Sequence, residues 1–296
     1  MATATASHAE PAAHVRAAAP RRFSWGNLWF YLGIALIVVY CLAPFYWMLV
    51  SALKAPDAIF NNNLLPTDIS FESFKAVFSS KNNFGYALRN GVIIATTATV
   101  IAMVIGVFAA YALARLQFRF KFLVLGAILA TAMFPGVAIV TPLFQLFSDF
   151  GWINQYQAMI IPDISFTLPL AIWILTSFFA EMPWELEQAA KIDGCTPGQA
   201  FRLVILPLAA PGVFTTMILV FINAWNEYLI ASVMSQTLAS EPPTVAIAKF
   251  TGESQFQQPF GTQMAAGVIV TIPLVILVLL FQRRIVAGLT AGGVKG

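Results

Sequence analysis

The stretch Glu187–Phe201, EQAAKIDGCTPGQAF, gathers charged, amide and glycine residues in a chain that is 59% hydrophobic and only 10% charged. Apolar runs flank it on both sides. A bilayer core needs about 20 mostly apolar residues per helix, and both runs are long enough. What this polar insert is for decides how the apolar runs are read.

Working outward, six stretches qualify as membrane spans: Leu28–Val50, Gly91–Leu113, Phe122–Leu146, Ala158–Phe179, Leu208–Val233 and Gln263–Phe281. A soluble domain carries about 25% charge, so the composition excludes that class. The expectation is an all-α membrane protein with six transmembrane helices. Residues 1–24 are expected to be a disordered tail, and residues 25–296 one transmembrane domain with a polar loop at about 181–207. The run after Arg21 and Arg22 is too long for a signal-peptide core, so the first span is expected to remain in place.

Basic residues mark the side of the membrane that is not translocated. An even number of spans puts eleven of the sixteen Lys and Arg residues on the side of the termini. Arg115, Arg119, Lys121, Lys191 and Arg202 are among them. Both termini and the insert are therefore expected in the cytoplasm, and the loops Lys54–Arg89, Leu146–Gln157 and Met234–Thr262 outside.

The insert reads as two short helices. Pro183 suits a first helical position, and Glu185 and Glu187 suit the positive end of the helix dipole. Gly194 can supply a left-handed stop. Thr196 and Gln199 have capping-box spacing, with Pro197 at the next helical start. The second helix carries Phe201, Val204 and Ile205 on one face and is expected to stop before Pro207. The pair could dock a partner or merely rest on lipid headgroups. Glu185, Glu187 and Asp193 outnumber Lys191, the wrong sign for anionic lipid, which favours docking.

Glu187–Gly212, EQAAKIDGCTPGQAFRLVILPLAAPG, resembles the EAA loop of permease subunits of bacterial ATP-binding-cassette importers. The family pattern is met by Gln188-Ala189-Ala190, Gly194, Val204, Leu206 and Pro207. Gln188 replaces the family's glutamate, and Glu187 stands just before it. AAYALARLQFRF at Ala109–Phe120, WNEY at Trp225–Tyr228 and IVAGLTAGGVKG at Ile285–Gly296 resemble the MalG-like carbohydrate-uptake branch. FTGESQFQQPFG at Phe250–Gly261 is similar to trehalose and α-glucoside permeases within it.

This resemblance implies the type I importer (MetI-like) fold, with a cytoplasmic coupling helix between the fourth and fifth spans. Glu187, Gln188, Ala189, Ala190, Asp193, Gly194, Leu206 and Pro207 would form the contact to an ATPase. It further implies a heterodimer with a homologous permease, two cytoplasmic ATPase subunits and an extracytoplasmic sugar-binding protein in a bacterial inner membrane. No nucleic acid partner is expected. The Gly-rich end after Arg284 would reach the ATPase interface.

The sequence has no G-x-x-x-x-G-K-[ST] loop, H-E-x-x-H or G-x-S-x-G. Its two histidines, His8 and His14, lie in the tail, and Cys41 and Cys195 form no metal or redox pair. Paired acids at one membrane depth are not evident either. This chain is expected to be non-catalytic and to bind no cofactor, with ATP and Mg held by the partner ATPase.

Intramembrane polar residues are costly and mark pathways or helix contacts. Asn223, Trp225, Asn226, Glu227 and Tyr228 form the densest cluster, and on a helix Asn223, Asn226 and Glu227 share a face. They are candidates for a sugar path, although an interfacial belt or subunit packing would use the same residues. Pro135-Gly136, Pro142, Pro162, Pro169 and Pro211-Gly212 are expected to interrupt the third, fourth and fifth spans. Asp163 is expected near the outer end of the fourth span, as a rim charge or a partner contact. Two other readings stay open: the same fold serving another solute, such as glycerol phosphate or an oligosaccharide, and an ion-coupled secondary sugar carrier.

Overall fold

A computed structural model describes residues 25–56, 58–61, 63–65, 68–250 and 259–291. The expected tail at 1–24, the segment 251–258 and the last five residues lie outside them. The chain divides into two units, one ending at Tyr46 and the other beginning at Trp47. Helix α1 is Trp25–Leu53, and α2 is the short Glu72–Val77. Then come α3 (Phe84–Arg115), α4 (Lys121–Thr131), α5 (Gly136–Asp149) and α6 (Gln157–Glu181).

The insert supplies α7 (Trp184–Ile192) and α8 (Pro197–Ala200), and α8 runs through a π turn at Phe201–Ile205 into α9 (Leu206–Trp225). The chain closes with α10 (Leu229–Met234), α11 (Pro243–Ala248) and α12 (Phe260–Ala291).

Five helical stretches among the described residues are long and apolar enough to cross a membrane. The third expected span is instead two helices, α4 and α5, bent by 83°. Pro135-Gly136 lies at the break. The arrangement of the neighbours shows that the bent pair still makes one crossing. Asn90, near the start of α3, accepts a hydrogen bond from Tyr156 just before α6 at 2.7 Å. Arg115, at the end of α3, donates to the carbonyl of Met182 just after α6 at 2.9 Å. The two helices are therefore parallel, and a 32-residue helix spans about 48 Å. The chain between them has to return along that length, so α4 and α5 carry it back.

The other expected breaks do not occur. Pro142 lies inside α5, Pro162 and Pro169 inside α6, and Pro211 inside α9, all without interruption. Hydroxyls lend extra bonds to carbonyls one turn back: Thr167 to Asp163 at 2.7 Å, Thr176 to Ile172 at 2.6 Å and Thr215 to Pro211 at 2.9 Å. The carbonyls that Pro162, Pro169 and Pro211 leave unpaired are those of Ala158, Ser165 and Pro207, so packing against neighbouring helices, not these bonds, keeps α6 and α9 on course.

Helices α3, α6 and α9 pack through small residues. Ala102, Ala110, Ala171 and Ala209 are buried in one cluster with Leu175, Phe179, Phe201 and Val220. Lipid is as apolar as leucine, so close van der Waals fit holds these helices together rather than escape from water. Gly212 shows how close the fit is. A Cβ there would lie 2.5 Å from the ring of Phe178 on α6. The sequence reading expected Pro211-Gly212 to interrupt the fifth span, whereas the role of Gly212 is close approach.

At the end opposite the insert, the polypeptide from Met234 to Phe250 is pinned down. Asn90 donates to the carbonyls of Leu238 and Glu241 at 3.2 and 3.1 Å. Asn154, in the left-handed region at φ 64°, accepts the N–H groups of Gln236 and Thr237 at 2.6 and 2.9 Å. Lys249 pairs with the buried carboxylate of Glu241 at 2.7 Å.

Candidate functional site

The insert is built by local rules at each of its ends. Pro183 precedes α7 as its cap residue, one position earlier than expected. The far end closes as a full Schellman motif. Gly194 takes φ +90°, its N–H reaches the carbonyl of Lys191 at 3.1 Å, and the N–H of Cys195 reaches Ala190 at 2.9 Å. The capping box then starts α8: the Thr196 N–H donates to Gln199 Oε1 at 2.8 Å, and the Gln199 N–H to Thr196 Oγ1 at 3.3 Å.

The second helix does not stop before Pro207, contrary to the sequence reading. It continues into the membrane span α9. Pro207 has no N–H to donate, and its ring crowds the carbonyl four residues back. The wider π turn just before it, in which the Leu206 N–H bonds to Phe201 O, relieves that crowding. The insert and the fifth span are therefore one helical body after Thr196.

The two faces of α7 differ. Glu187 and Ala190 point inward and are buried. Gln188, Ala189, Asp193 and Gly194 are exposed, and Ile192 is 86% exposed. An isoleucine so bare on a charged helix leaves an apolar knob beside two small residues, Ala189 and Gly194. Leu206 is half-buried and Pro207 exposed at the base. Gln188, at the position of the family's glutamate, faces outward. The acid one residue earlier faces in, where Lys191 meets it at 2.8 Å.

Arg115 escaped the sequence reading, which counted it only as a loop charge. It is 4% exposed, bonded to Met182 O, and its guanidinium lies 4.6 Å from the centre of the Trp184 ring. The only sequence signal was its place at the end of an apolar span.

The polar cluster at the other end of α9 is not a helix face. The helix ends at Trp225, and Asn226 caps it. Even so, Asn223, Asn226, Glu227 and Tyr228 line one open concavity of about 530 Å³, together with Leu170, Leu219, Ile222 and Leu229. That volume is in the range of small-molecule sites. Trp225 does not belong to it. It is buried on the opposite side, stacked on Phe221 at 5.8 Å, and its indole N–H has no hydrogen-bond partner among the described residues.

Glu227 has a structural task. Its carboxylate accepts the N–H groups of Ile230 and Ala231 at 2.7 and 2.9 Å, which caps α10, and its carbonyl accepts Thr244 Oγ1 at 2.8 Å. It also lines a narrow inner cavity with Asp163, Trp225 and Gly91. Asp163 is 3% exposed, so it is neither a rim charge nor a surface contact, and its carboxyl lines the same narrow cavity as that of Glu227. The expectation that no acids are paired at one depth is corrected: α9 ends just before Glu227, and the turn folds that side chain back toward α6.

Residues 102–290 match the model of the binding-protein-dependent transport system inner membrane component. The chain belongs to that family. Both the insert and the concavity lie inside the matched region.

This transport component is 49% identical to the trehalose transport system permease protein SugB of Mycobacterium tuberculosis, over 88% of this chain and 95% of the relative. It is 40% identical to the trehalose/maltose transport system permease protein MalG of Thermococcus litoralis, over 90% and 95%. A solved bacterial ABC transporter involved in import of the acidic polysaccharide alginate has the same fold. The TM-score is 0.72 at 22% identity, over 89% of this chain and 99% of that one.

Proposed function

We propose that this permease is one half of the membrane channel of an ATP-driven importer for trehalose or another α-glucoside disaccharide. A homologous permease is its partner in a heterodimer. Two cytoplasmic ATPase subunits hold the ATP and Mg, and α7 sits in a cleft of one of them. A sugar-binding protein delivers solute on the outer side, against the pinned Met234–Phe250 segment. Both termini and the insert face the cytoplasm.

The observation that carries this reading is the continuity of α8, the π turn and α9. Only the short Asp193–Thr196 turn separates α7 from that helical body, so a push on the insert reaches the base of a membrane span. The exposed Gln188–Ala189 surface and the Ile192 knob suit a close contact with a protein partner, and the net charge of the insert does not suit lipid. The concavity offers amides and a tyrosine, groups that hydrogen-bond a neutral sugar, and Glu227 turns its charge to α10 instead.

The test is reconstitution. The chain is co-expressed with the permease, ATPase and binding protein encoded beside it, placed in proteoliposomes, and assayed for uptake of labelled disaccharides. Trehalose uptake that depends on ATP and on the binding protein is the expected result. Uptake driven by an ion gradient without ATP contradicts it.

A further inference from the structure

Arg115 sits where α3 meets the insert. Its Nη2 donates to the carbonyl of Met182, which lies between α6 and α7, at 2.9 Å. Its guanidinium carbon stands 4.6 Å from the ring centre of Trp184, the first residue of α7. One side chain thus grips both the joint and the start of the insert helix. Tyr111, one turn back on α3, interacts with both Arg115 and Glu187 and packs on Phe201 at 4.5 Å between ring centres.

We infer that Arg115 is the positioning residue that makes α3 and α7 move as one body. The inference rests on the coupling reading above and deepens it. The α8–α9 continuity carries motion to the fifth span, and Arg115 carries the same motion to the second. Arg115 is not simply a counter-ion for Glu187. Lys191 already pairs with that carboxylate, and no Arg115–Glu187 contact reaches ion-pair distance among the described residues. What the site uses is the planar guanidinium, which stacks on an indole face while a nitrogen at its edge bonds a carbonyl. A lysine ammonium is a point charge with no flat face to lay on the indole and no rigid fork to fix the carbonyl beside it.

The experiment places spin labels at Val104→Cys on α3 and at Glu185→Cys on α7, away from the Ala189–Ile192 contact surface, with Cys41 and Cys195 replaced by serine. Both labelled positions are exposed. Distances are measured by double electron–electron resonance in the assembled transporter, without nucleotide and with ATP trapped. The expected result is one narrow distance, the same in both states. Arg115→Lys, which keeps the charge and most of the volume, broadens it, and sugar taken up per ATP hydrolysed falls about tenfold, within the usual range of coupling free energies. Glu187→Gln leaves the distance narrow.

A distance that shifts on ATP trapping in the unsubstituted chain overturns the inference. So does an Arg115→Lys variant with native distance and native uptake per ATP, or a Glu187→Gln variant that broadens as much as Arg115→Lys. Failure of the ATPase subunits to co-purify with the unsubstituted chain sinks the coupling reading instead, and with it the role drawn here.

Discussion

The carboxylate of Glu227 accepts the main-chain N–H of Ile230 at 2.7 Å, one oxygen for Ile230 and the other for Ala231 at 2.9 Å. In the break between α9 and α10 this acid serves the backbone. Glu227→Gln leaves one of the two N–H groups without an acceptor, at a cost of about 1–3 kcal/mol. Thermal unfolding in detergent is expected to begin at a lower temperature.

Asp163→Asn should act in the opposite sense. It replaces a buried carboxyl beside the same narrow cavity with an amide of the same shape, and no hydrogen bond made by the Asp163 carboxyl is lost among the described residues. The same melting assay is expected to show a midpoint equal to or above that of the native chain. A fall as large as that of Glu227→Gln would mean that the carboxylate has a structural partner.

Gly212→Leu drives a side chain into Phe178, since even a Cβ comes within 2.5 Å of that ring. Overpacking costs about 1–3 kcal/mol, so α6 and α9 should separate and expression of folded protein should drop. Native yield and melting temperature would contradict the close-approach role.

Asn226→Ala separates sugar contact from packing. The Asn226 side chain is exposed, bonds only its own helix at Ile222 O (2.8 Å), and lines the concavity. Uptake affinity is expected to weaken several-fold while the two permeases still co-purify. Equal loss of both would assign the cluster to packing.

Much of the fold could be read because its signals are local. Span length, the capping box at Thr196 and Gln199, and the left-handed stop at Gly194 each need only a few neighbouring residues. The errors arose where tertiary context overrides a local rule. Pro162, Pro169 and Pro211 look like breaks, but α6 and α9, packed against their neighbours, keep their path through them. Pro207 looks like a stop, and a single π turn carries the helix past it.

The site divides along the same line. The inward turn of Glu187 and the outward turn of Gln188 follow from α7 packing on the bundle, which no spacing rule contains. Trp225 and Asn223 are two residues apart on α9 and face opposite sides by helix geometry alone, whereas the helix end after Trp225, which redirects Glu227, has no such local signal. Asp163 and Glu227 are 64 positions apart in sequence, and only the fold brings them to one cavity. Arg115 is visible in the sequence only as a positive charge.

The account stands most directly on the insert as the contact for an ATPase. Ala189 is exposed and small, one turn from the Ile192 knob, and a tryptophan there projects outward without disturbing the buried face of Glu187 and Ala190. The decisive measurement is solute-stimulated ATP hydrolysis by the reconstituted transporter carrying Ala189→Trp. The account predicts that the variant inserts and pairs with its partner permease while stimulated hydrolysis falls to background. Hydrolysis at the native rate would contradict it.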